Sequence, residues 1–171
     1  VIDPLSGGLS PMVDLTKPQA YRLMKNYIQA VGSDYNGLFI DIMDSVITAE
    51  KDHPGMVASS LKLLNELAAD LPASKKFIVN GGMADINTFA AIATIPKLTA
   101  MSVEGQYFDG PSQKRPEASF GWTAKRFQAA CNARDQYFKA RGERGSLNII
   151  GIEPIIDGRQ QKSTCNAAQQ Y

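Results

Sequence analysis

The chain has 171 residues, 44% hydrophobic and 20% charged, which is enough to build one domain with its own core and argues against disorder. Its 18 Lys and Arg against 17 Asp and Glu leave a formal charge of +1. They are scattered rather than clustered, so no nucleic-acid partner is expected. Apolar runs are short: the one over 37–43 is interrupted by Asp41, far below the roughly 20 residues of a membrane helix, so no membrane span is expected.

Residues 12–15 read as a brief strand, after which Thr16 is a candidate N-cap and Pro18 suits a first helical turn, where a missing N–H costs nothing. Tyr21, Met24, Ile28 and Val31 then recur at helical spacing, the segment 32–36 breaks the helix, and 37–44 reads as a buried strand. Beyond a loop with His53-Pro54-Gly55, an apolar stripe of Val57, Leu61, Leu64, Ala68 and Leu71 ends at Pro72. A strand over 76–80 leads into Gly81-Gly82. A helix from about Asp85 places Ile86, Phe89, Ala90 and Ala93 inside and stops before Pro96, and 98–104 is a further strand. A polar loop with Pro111 and Pro116 precedes a long helix over roughly 122–140 and a last strand over 147–153.

Five strands alternating with helices predict an α/β fold with a parallel sheet, because parallel neighbours cannot be joined by a tight turn. An open doubly wound sheet and a piece of an eight-stranded barrel both fit. The barrel is the better reading, because Asp14, Asp41, Asn80, Glu104 and Glu153 fall at successive C-terminal strand ends, which a barrel gathers around one mouth. The whole chain, 1–171, is read as one partial (β/α)₈ barrel of TIM type with about five of eight βα units. Val1 and Tyr171 do not look like the ends of a finished barrel, and closure would need another chain or segment. No GxGxxG or GxxxxGK[ST] motif occurs, so no nucleotide cofactor is expected.

Alternation along the strands gives the acids a direction. Asp41 shares a face with Phe39, opposite Ile40 and Ile42, and Glu104 shares one with Ser102, opposite Met101 and Val103. Both are expected to point into the barrel. A carboxylate in an apolar strand is costly to bury unless it is paired or hydrogen-bonded, so helix capping or a basic partner is the structural alternative to chemistry. Two carboxylates suit glycoside hydrolysis, one protonating the leaving oxygen and the other acting as nucleophile or base. Other chemistries fit less well: GxSxG is absent, and the sole histidine, His53, lies on a His-Pro-Gly turn. Cys131 and Cys165 lack CxxC spacing, so no metal site is expected, and both a disulfide and two buried thiols stay open.

Four segments carry a family resemblance: Val13-Asp14-Leu15-Thr16-Lys17-Pro18, Gly37-Leu38-Phe39-Ile40-Asp41-Ile42-Met43-Asp44-Ser45, Phe77-Ile78-Val79-Asn80-Gly81-Gly82 and Ser102-Val103-Glu104. In order and spacing they resemble strand motifs of the endo-α-1,4-polygalactosaminidase family, the second being the most specific. The resemblance implies a secreted or cell-surface barrel that cleaves α-1,4-linked galactosamine-rich polysaccharide without a metal. It implies Asp41 and Glu104 as catalytic carboxylates, with Asp44 and Asn80 lining the site. Asp14, Glu153 and Tyr107 are further candidates for substrate contact, with Phe108 and Trp122 as aromatic platforms. Glu153-Pro154 departs from the family's Asp-Tyr. The alternative is a non-catalytic carbohydrate-binding or structural relative, and a sugar-phosphate lyase or isomerase is less favoured, lacking a phosphate loop.

Overall fold

The computed structural model describes residues 12–41, 43–82, 84–104, 117–143 and 145–152, giving backbone alone at 104, 117–123 and 151–152. The elements run α1 (Pro18–Gly32), β1 (Gly37–Ile40), α2 (Met43–Ala49), α3 (Met56–Asp70), β2 (Lys76–Asn80), α4 (Ile86–Ala93), β3 (Ala100–Glu104), α5 (Glu117–Arg141) and β4 (Asn148–Ile152). The four strands form one parallel sheet in the order β1-β2-β3-β4.

Strand order follows chain order without reversal, and this decides where the helices lie. Parallel crossovers are right-handed, so successive crossovers in one direction place every helix on the same side of the sheet. Packing agrees. Leu38, Ile40, Phe77, Val79, Met101, Val103 and Ile149 lie on one sheet face and form a single core with residues of all five helices. The opposite face carries Phe39 and Ile150, 51% and 44% exposed. A doubly wound sheet would reverse its strand order and cover both faces; this one is compatible with an arc of a βα barrel.

Two expectations are corrected. Residues 12–15 are not a strand, so the described sheet has four strands rather than five. Met12 and Leu15 are nonetheless buried in the core, and the segment turns into α1 with Lys17 N donating to Asp14 O at 3.2 Å. The second strand stops at Ile40, because Met43, Val46 and Ala49 recur at helical spacing and bury one face of α2, a helix that the apolar run had hidden.

Helix positions follow from the side chains that face the core. Tyr21, Met24 and Ile28 pack inward from α1, whereas Val31 is exposed beside Leu23 and Tyr27. In α3, Leu63 and Leu67 join Leu64 and Ala68 in the core. In α4, Phe89, Ile92 and Ala93 are buried, while Ile86 and Ala90 are only half-buried. The buried row of α5 is Arg126, Ala130 and Arg134, at helical i, i+4, i+8 spacing. Two arginines thus face the core, where an apolar stripe would ordinarily lie.

Candidate functional site

Acids at the C-terminal ends of the strands fall into two groups, separated by what their carboxylates hold. Asp14 Oδ1 accepts from Thr16 N at 3.0 Å and from Thr16 Oγ1 at 2.6 Å, shaping the turn into α1. The Thr16 hydroxyl holds the Asp14 carboxyl below its ordinary value. Thr16 is therefore not the N-cap: that position is Lys17, which makes no side-chain cap bond, and Pro18 opens the helix. Glu50 accepts from Gly55 N at 2.8 Å and Val57 N at 2.7 Å, closing the start of α3, and these backbone bonds lower its pKa. Asp85 is the N-cap of α4, accepting from Asn87 N at 2.8 Å and Thr88 N at 3.1 Å. The Thr88 hydroxyl, donating at 2.6 Å, is the main cause of its lowered pKa.

Asp41 and Asp44 are held otherwise. Asp41 follows β1, is exposed, and its Oδ1 accepts from Asn80 Nδ2 at 2.8 Å across the neighbouring strand end. Asn80 is itself 3% exposed, and its Oδ1 accepts from Gly82 N at 3.1 Å, so the amide spans from the loop backbone to the carboxylate. Asp44 lies in the first turn of α2, half-buried, with its carboxylate against the Gly82 backbone.

The two glycines explain why this strand end is tight. A Cβ on Gly81 would sit 2.4 Å from the Phe89 ring, and one on Gly82 would sit 2.1 Å from Asp44 Oδ1. Gly82 also has φ of +44°, a left-handed conformation disfavoured for residues with a Cβ. Gly81-Gly82 therefore serves close packing of the loop after β2.

Beneath this loop lies a residue the sequence did not single out. Arg126 of α5 is fully buried, donates through Nη2 to Gly82 O, and holds its guanidinium carbon 4.5 Å above the Phe89 ring. Asp44 and Asp85 lie within electrostatic reach. Burial lowers its pKa to about 10, which leaves it charged at neutral pH. Helical spacing from Ala130 is the signal that could have found it.

No protein-family model, curated protein or solved structure matches the chain significantly. The residues themselves therefore carry the functional argument.

The structure thus brings Asp41, Asp44 and Asn80 together around Gly82. Asp14 has its contacts elsewhere, with Thr16, Lys17 and His53. Glu104 ends β3 in register with Ile152, two strands from β1. Its side chain, Tyr107, Phe108, Glu153, Cys165 and the side chain of Trp122 lie outside the described residues. Ser102, in register with Asn80, is 1% exposed, and its Oγ has no hydrogen-bond partner among the described residues. Among the described residues no helix is long and apolar enough to cross a membrane.

Proposed function

We propose that the chain is part of a TIM-type (β/α)-barrel glycosidase, secreted or at the cell surface, that cleaves α-1,4-linked galactosamine-rich polysaccharide with Asp41 and Glu104. The observation that carries this reading is the 2.8 Å hydrogen bond from Asn80 to Asp41 at adjacent C-terminal strand ends of a sheet wound in one direction. Asp14, Glu50 and Asp85 are occupied with helix starts. Asp41 is exposed and aimed by a side-chain amide instead, as a group that meets a polar ligand would be.

Glu104 lies two strands from Asp41 and two residues beyond the row of Asn80 and Ser102, so their backbones are about 12 Å apart. On the concave face of a barrel, side chains from such positions approach one another, and a carboxyl separation of about 5–9 Å would span the retaining and inverting geometries. Glu104 gives its proton to the leaving glycosidic oxygen as the C1–O bond breaks. Asp41 acts as the nucleophile or as electrostatic partner to the developing positive charge, and water, losing a proton to the Glu104 carboxylate, forms the new bond to C1. Asp44 and Asn80, with Tyr107 and Glu153 from neighbouring segments, contact the sugar. An acidic mouth would favour a cationic amino-sugar polymer.

The test is endo-cleavage of deacetylated galactosaminogalactan, followed by product length. Glu104→Gln is expected to abolish cleavage of substrates with poor leaving groups while sparing the first step on activated aryl glycosides, and Asp41→Asn to remove both activities. Binding of the polymer without chain shortening by the unaltered protein would favour a non-catalytic carbohydrate-binding role. Full activity in Asp41→Asn would refute the assignment.

A further inference from the structure

We propose that Arg126 is a positioning residue for the Asp41 carboxylate, acting through the Gly82 backbone and the Asn80 amide. Four groups form an unbroken path. Arg126 Nη2 donates to Gly82 O, Gly82 N donates to Asn80 Oδ1 at 3.1 Å, and Asn80 Nδ2 donates to Asp41 Oδ1 at 2.8 Å.

Each link settles the next. A primary amide has nearly the same shape either way round, so its orientation is decided by what its oxygen accepts. With Gly82 N–H donating to Oδ1, the NH₂ group faces Asp41. The reversed amide would set an oxygen against the carboxylate and leave the Gly82 N–H facing a donor. Gly82 can hold that N–H only while its loop stays fixed. The loop is fixed from one side by the Asp44 carboxylate, which a Cβ at this position would meet at 2.1 Å, and from beneath by Arg126. An apolar residue on α5 could fill the space over Phe89 without the cost of desolvating a cation. The guanidinium supplies what such a residue would lack, a donor for the Gly82 carbonyl.

The proposal rests on the reading of Asp41 as a working carboxylate, so its test has one arm with substrate and one without. In the substrate-free arm, the Asn80 side-chain NH₂ resonances are followed by ¹H–¹⁵N NMR in Arg126→Lys and Arg126→Met, with Arg134→Met as a control on the same helix. The resonances are expected to move toward those of a solvated amide in both Arg126 variants and to stay in place in the control. The exposed substitution Asp41→Ala reads the path from its other end and should shift the Gly82 amide resonance even if neither Arg126 variant folds. In the substrate arm, Arg126→Lys is expected to lower kcat about 10- to 100-fold with KM unchanged, the size of effect that small misplacements of reacting groups produce. The double variant with Asn80→Ala should be no slower than Asn80→Ala alone.

Unmoved Asn80 resonances in a folded Arg126 variant, an unmoved Gly82 amide in Asp41→Ala, or additive effects in the double variant would each overturn the proposal. If the unaltered protein cleaves no galactosamine polymer, the glycosidase reading fails while the resonance shifts still decide the role of Arg126.

Discussion

At the N-terminal ends of the strands, charged side chains close helices. Lys75 Nζ donates to Gly32 O and Ser33 O after α1, and Lys97 Nζ donates to Ala69 O and Leu71 O after α3. Arg134 donates to Ala93 O, Ile95 O and Leu98 O after α4. At the C-terminal ends, Glu50 and Asp85 perform the matching task for the starts of α3 and α4, each with the sign that the helix dipole favours, and Asp14 shapes the turn before α1. Asp41 stands apart there, accepting from a side-chain amide. The comparison separates the charges that hold helix termini, at either end, from Asp41, the carboxylate on which the proposed function rests.

The largest effect that could break this comparison is at Arg134. Its replacement by Met would remove the guanidinium from three buried carbonyls, leaving Ile95 O only its 3.4 Å bond from Leu98 N, and a loss of about 3 kcal/mol is expected, measured by urea unfolding. Activity per folded molecule should be unchanged, and a fall in kcat would blur the division between the ends. Gly82→Ala comes next. Strain at positive φ and the collision with Asp44 should cost about 2 kcal/mol, and the Asn80 amide should lose its place, so stability and kcat fall together. Smaller still is the acid dependence of the caps. Asp85 and Glu50 have folded pKa values below their ordinary 3.8 and 4.5, so their contributions are complete above those ordinary values and are lost as pH falls through the lowered ones. The urea midpoint should therefore drop on acidification below about pH 4.5. Asp85→Asn, which keeps an N-cap acceptor but cannot titrate, should drop less steeply. Last is Lys97, a non-glycine residue at φ of 56°. In Lys97→Gly, relief of strain is expected to offset the two lost carbonyl contacts to within about 0.5 kcal/mol in the same unfolding assay.

Alternation and turn residues made much of the fold legible. Strand β2 lies where the short apolar run Phe77-Ile78-Val79 ends at Asn80, β3 lies where Met101 and Val103 alternate with Ser102, and Pro18 and Asp85 mark the starts of α1 and α4. Where the reading failed, one pattern hid another. The run over 37–44 is a strand and a helix start in succession, joined without a glycine or proline to divide them. Residues 12–15 have the composition of a strand, yet Asp14 turns back on Thr16. The acids at strand ends were visible as a set, but their division into caps and a site was not, since it depends on which N–H groups lie within reach. Arg126 was hidden for a related reason: its spacing from Ala130 puts it on the inner row of α5, but its charge argues for solvent, and the carbonyl and aromatic face that receive it come from other elements.

Among the described residues β1 is an edge strand, and for the described sheet this has a dynamic consequence. Among the described residues β1 pairs only with β2, whereas β2 and β3 have neighbours on both sides and bury Phe77, Val79, Met101 and Val103 completely. Amide exchange should accordingly be slowest in β2 and β3 and faster in β1, which can open without global unfolding. Asp41 then belongs to a segment that opens readily and Asn80 to one that opens last. The bond between them would break and re-form many times during the life of a folded molecule, and a bound ligand that touched Asp41 would be expected to slow the exchange of the whole of β1.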